Sequence, residues 1–129
     1  TQGNFVYAQF MIQTDTLNNT VIEYPAVNGI RTISSEIESV MQGIFDVCTI
    51  RKIFIKLDDA PGAGKSWDFT LRKNGAATAL VCSISGLNTS GNASSDIAIS
   101  AFDLLSVSST PSNSPVTTRA HISFLVLNI

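Results

Sequence analysis

SWDFTLRKNGAATALVCSIS, residues 66–85, decides the fold. Trp67, Phe69 and Leu71 alternate with polar residues, and so do Leu80, Cys82 and Ile84. Period two places each set on one face of a half-buried strand. Between them lies Asn74-Gly75, a pair that tolerates the positive φ a tight hairpin turn demands. The segment therefore predicts a β-hairpin turning at residues 73–75.

The residues just upstream raise a different reading. Gly64-Lys65-Ser66 resembles the end of a phosphate-binding loop, G-x-x-x-x-G-K-[ST]. The first glycine of that pattern would fall at 59, which is Asp59, and its carboxylate would repel a phosphate. Such a loop must also open a helix, whose N-terminus supplies N–H groups and a positive dipole end. An alternating strand follows instead. The stretch DDAPGAG, residues 58–64, reads as a Pro/Gly turn leading into the hairpin.

Working outward, the same period recurs. Residues 50–57, IRKIFIKL, form a strand with Ile53, Ile55 and Leu57 on one face and Lys52, Phe54 and Lys56 on the other. Residues 118–129 set Ala120, Ile122, Phe124 and Val126 against His121, Ser123, Leu125 and Leu127. Apolar residues on both faces near its end suit a central strand or one at a subunit contact. Shorter strands are expected at 3–13, 20–24, 30–33, 97–100 and 104–109. A turn is expected at 14–19, a connection at 43–49, and loops at 86–96 and 110–117. The piece SSEIESVMQ, 34–42, fits a capped helix and a strand equally in its spacing, and its neighbours favour strand. Eight to ten short strands with almost no helix predict an all-β fold, an antiparallel β-sandwich of jelly-roll-like type, in one domain spanning 1–129.

Composition narrows the function. The chain has 129 residues, a net charge of −2 and only 8 Lys plus Arg, so the basic footprint of a nucleic-acid binder is missing. Charged residues make up 14%, against the usual level of about 25%, while 44% are hydrophobic. A small domain has too much surface to be this charge-poor if all of it faces water. Burial against other chains, as in a homo-oligomer, is expected. No apolar run approaches the roughly 18 residues of a membrane span, and the first residues carry no charged-then-apolar leader pattern. Cys48 and Cys82 lie in apolar stretches and read as buried thiols, with a single bridge as the alternative. His121 is the one histidine, too few for a metal site, so no metal or cofactor is expected. Asp58, Asp59 and Asp68 read as exposed acids rather than a catalytic pair, and no enzyme is expected. Sequons occur at Asn18, Asn88 and Asn92 and read as loop chemistry.

Two further stretches carry a resemblance. LDDAPGAGKSWDFTLRKNGAATALVCSISG (57–86) and AFDLLSVSSTPSNSP (101–115) resemble a β-sandwich module of tailed bacteriophages. The shared features are the Pro-Gly turn, the S-W-x-F-T-L-R-K-N-G strand, the D-L-x-S-V strand and a Pro/Ser loop. The resemblance covers about half of the chain. It implies a virion structural protein on the capsid surface, made in the host cytoplasm. A capsid decoration (cement) protein that trimerises on the major capsid protein is the first expectation. A receptor- or carbohydrate-binding fibre head is the alternative. Phe5, Tyr7 and Phe10 are the candidate capsid contacts, as an arm or added strand. Asn88, Asn92, Ser112 and Asn113 are the candidate exposed binding-loop residues.

Overall fold

The computed structural model describes residues 7–25, 32–33, 43–44 and 46–127; for 7–11, 32–33 and 43–44 it describes the backbone alone. Ten strands follow in chain order: β1 (Tyr7–Gln13), β2 (Tyr24–Pro25), β3 (Thr32–Ile33), β4 (Gly43–Ile44), β5 (Cys48–Leu57), β6 (Gly62–Lys73), β7 (Ala76–Gly86), β8 (Ser90–Ile99), β9 (Leu104–Ser112) and β10 (Ala120–Leu127). No helix occurs among the described residues. Among the described residues, β2 and β3 form a two-stranded sheet of their own. The other eight strands form two four-stranded antiparallel sheets, ordered β1-β10-β5-β8 and β4-β9-β6-β7.

That order is a set of nested pairs. β6 pairs with β7, β5 with β8, β4 with β9 and β1 with β10. A long antiparallel ribbon that starts at the β6–β7 hairpin and wraps around a core produces this nesting, which is the jelly-roll order. The innermost turn has the predicted geometry: Lys73 pairs Ala76, and Asn74 and Gly75 have φ of 52° and 81°.

The two sheets enclose one apolar cluster. Trp67, Phe69 and Leu71 of β6, Leu80, Cys82 and Ile84 of β7, Ile53, Ile55 and Leu57 of β5, and Ile122 and Phe124 of β10 all belong to it. Strict alternation breaks once on β5. Ile50 and Ile53, three residues apart, are both fully buried. Arg51 is the extra residue of a bulge: the partners of Ile50 and Lys52 on β10, Val126 and Leu125, are consecutive. The bulge shifts the phase so that both isoleucines face inward.

Several elements differ from the sequence reading. Residues 20–22 are not strand, and Thr20 and Val21 lie in a bend, because the Asn18 side chain accepts hydrogen bonds from the Thr20 N–H and hydroxyl, both at 2.8 Å. This local turn competes with sheet pairing. The 43–49 connection holds β4 and the start of β5. The turn after Leu57 is shorter than expected, since β6 begins at Gly62, and Gly62 and Gly64 carry positive φ where its pairing with β7 is irregular. GAGKS thus enters a strand.

Residues 90–96, expected in a loop, belong to β8, so Asn92 is a strand residue. β8 alternates in size more than in polarity: Gly91 and Ala93 are partly buried while Ser90, Asn92 and Ser94 are exposed. A Cβ on Gly91 would lie 3.3 Å from both Cys82 Sγ and Ile84 Cγ1, so little more than glycine fits. β9 runs on to Ser112 through Pro111. Ser109 N–H donates to Glu23 O at 2.8 Å, on the side away from β6. Pro111, two residues on, turns its ring nitrogen to that same side and costs the β6–β9 ladder nothing. Residues 26–31 and 34–42 lie outside the described residues, as do Phe5 and the other early positions of the expected first strand.

Candidate functional site

The outer face of the β1-β10-β5-β8 sheet carries a trough of about 710 Å³. The sheet register builds it in rows. Gln13, His121, Lys56 and Ser90 are opposite one another across all four strands. In the next row Ser123, Phe54 and Asn92 are cross-strand neighbours. The intervening residues Ile12, Ile55 and Ile122 turn into the core and contribute backbone to the floor. Alternation on β5 and β10 therefore does two things at once: it fills the core and sets a mixed polar and aromatic row outside.

Two contacts order the rim. His121 Nε2 lies 3.1 Å from Asp58 Oδ1, both about half exposed. Asp58 sits just past the end of β5, where its N–H donates to Arg119 O at 3.2 Å. Lys56 Nζ donates to Thr89 Oγ1 at 3.4 Å, which draws the ammonium toward the β7–β8 turn. Lys52 Nζ lies 5.6 Å from the centroid of the Phe54 ring. The trough thus offers two amides, two hydroxyls, an imidazole–carboxylate pair, the Lys56 ammonium, a second ammonium from Lys52 beside the ring, and one aromatic ring. Among the described residues no cluster of His, Cys, Asp or Glu could hold a metal ion.

A second feature lies at the end of the sandwich where β5–β6, β7–β8 and β9–β10 are joined. Leu57 N–H donates to Thr89 O, Val116 N–H to Pro61 O and Leu17 N–H to Thr118 O, so these connections and the segment after β1 meet there. Asn19 Nδ2 adds a bond to Pro115 O at 2.8 Å. The same segments expose large apolar side chains: Leu87 at 82%, with Val21, Ile22 and Val116 nearly half exposed. At the opposite end Phe102 is 80% exposed at a positive φ of 69°.

The sequence-predicted residues are distributed across these features. Phe5 lies outside the described residues. Tyr7 and Phe10 are strand residues of β1, opposite Leu127 and Phe124, so from Tyr7 onward the expected arm is the first strand of its own sheet. Asn88 is exposed in the β7–β8 turn. Asn92 is exposed too, but in the trough rather than in a loop. Ser112 closes β9, and Asn113, at a φ of 61°, donates through Nδ2 to Gly64 O at 2.9 Å. Both cysteines are free thiols, and burial pushes Cys82 up to about 11, with Asp68 adding to the effect. The sequence placed Phe54 and Lys56 outside and His121 with Ser123, but only the register brings them to Asn92 and Gln13.

The chain matches no protein-family model and no curated protein.

Proposed function

We propose that this chain is a virion structural protein of a tailed bacteriophage, a capsid decoration protein that assembles as a trimer and bridges capsid subunits. The observation that carries the reading is the apolar end of the sandwich. Leu87, Val21, Ile22 and Val116 are each exposed on connections at that end, in a chain with only 14% charged residues. Large apolar side chains left exposed on several connections at one end of a domain are open to burial by another chain. Each large aliphatic side chain buried there contributes about 1.5–3 kcal/mol. Contact by three copies at once multiplies that weak gain into stable attachment. The jelly-roll order and the phage-like stretches at 57–86 and 101–115 agree with this role. The trough on the sheet face supports the second reading, a carbohydrate-binding fibre head.

Light scattering on the purified chain, coupled to size exclusion, tests the assembly. A trimer has a mass of about 41 kDa, three times the 13.8 kDa chain. Co-sedimentation with capsids lacking the protein then tests the partner. Leu87→Ser should weaken that binding while leaving the fold unchanged. A monomer that ignores capsids at every concentration rejects the reading.

A further inference from the structure

We infer that the trough on the outer face of the β1-β10-β5-β8 sheet is a saccharide-binding site for a neutral or weakly charged oligosaccharide lying across the strands. The inference deepens the second reading, a carbohydrate-binding role, and is independent of the assembly reading, since the trough and the apolar end are different surfaces.

The ligand class follows from the lining. A sugar ring presents hydroxyl groups at its edge and C–H groups on its faces. The trough answers both. Phe54 lies in the second row, flanked across the strands by Ser123 and Asn92, and offers ring surface to a C–H face. Around it, Gln13 and Asn92 carry amides, which donate and accept at once, and Ser90 and Ser123 carry hydroxyls. At the rim, Asp58 can accept from two neighbouring hydroxyls, and His121 at 3.1 Å orients it. Four strands spaced about 4.8 Å apart make the face roughly 14 Å wide, room for two or three sugar rings. The volume of about 710 Å³ suits a ligand of that size.

Other ligands fit less well. A polyanion needs several cations, and here Lys56 in the trough and Lys52 beside the Phe54 ring are offset by the Asp58 carboxylate on the rim. A peptide strand needs a free sheet edge, while this is a sheet face crossed by β5 and β10 in the interior of the order. A lipid chain would leave the amides and hydroxyls without partners.

The test uses the full chain, displayed multivalently on an array of neutral and sialylated oligosaccharides. The strongest binder is then titrated by calorimetry and by amide chemical-shift mapping. Binding should shift amides of β5, β8 and β10 around the trough. Phe54→Ala should weaken it roughly tenfold, and Asn92→Ala roughly three- to tenfold. Leu87→Ser, on the other surface, should leave it unchanged. Circular dichroism and thermal unfolding confirm that each variant is folded. Failure to bind any oligosaccharide overturns the inference. So does binding that folded Phe54→Ala and Asn92→Ala variants retain in full. A change of oligomer mass on Phe54→Ala without glycan binding also overturns it, since the face would then be a subunit contact.

Discussion

Replacing Asn74 should loosen two turns at once. Asn74 occupies the left-handed region at a φ of 52° in the β6–β7 turn. Its N–H donates to Leu104 O at 2.7 Å, its Oδ1 accepts from Leu104 N–H at 2.9 Å, and its Nδ2 donates to Asp103 Oδ1 at 2.9 Å. The side chain therefore fastens this hairpin to the β8–β9 turn. Asn74→Ala removes the acceptor for Leu104 N–H, a net loss of about 1 kcal/mol. It also places a Cβ without a compensating amide in the left-handed region, which costs about 1 kcal/mol more. The sum of about 2 kcal/mol corresponds to a drop in Tm of roughly 6–10 °C for a chain of this size. Asn74→Gly keeps the conformation and loses only the side-chain bonds, so it should cost about 1 kcal/mol less than Asn74→Ala.

Trp67, the only tryptophan and fully buried, reports unfolding in urea. The Asp103 contact adds a pH signature. The Asn74 hydrogen bond first, then the Ser100 N–H, hold the Asp103 carboxyl below its ordinary value of 3.8. A depressed folded pKa stabilises above the unfolded value and loses that contribution as pH falls through the folded one. The penalty of Asn74→Ala should therefore shrink on acidification. If Asn74→Ala costs no more than Asn74→Gly, or both cost under about 0.5 kcal/mol, the argument for the coupled turns is wrong.

Four other outcomes follow from the core. Gly91→Val should cost about 1–3 kcal/mol through its contact with Cys82 and Ile84, and Cys82→Ala should recover part of that loss; additive costs in the double variant would mean that the contact is not felt. Phe69→Ala, at a fully buried site whose ring centroid lies 6.3 Å from that of Trp67, should cost about 3–5 kcal/mol in urea unfolding. In thiol labelling at mildly alkaline pH, Cys82 should react only on unfolding, whereas half-buried Cys48, raised by burial and by Asp46, reacts in the native state but more slowly than a free thiol. Because Cys82 is raised from 9.0 to about 11, its contribution is present below pH 9 and lost as pH rises toward 11, and Cys82→Ala should remove that alkaline decline.

The hairpin of β6 and β7 was legible because its information is local. Two alternating apolar sets and one Asn-Gly pair specify both strands and the turn between them. The same holds for the inward set of β5 and the outward placing of Phe54 and Lys56. Where polarity did not alternate, tertiary packing decided. β8 reads as loop because its inward residues are Gly91 and Ala93, and only the approach of Cys82 and Ile84 explains why Gly91 must be small. β4 is two residues long and exists by virtue of its partners Leu104 and Leu105. β9 passes through a proline because the Pro111 nitrogen faces away from β6, the strand that pairs there, so no ladder N–H is lost. The trough is the extreme case. Its lining comes from β1, β5, β8 and β10, and no spacing along the chain relates Gln13 to Asn92. Hydrophobic period and turn chemistry act over a few residues and can be read directly. Strand register joins residues far apart in the chain, and it is set by how the whole ribbon wraps around its core.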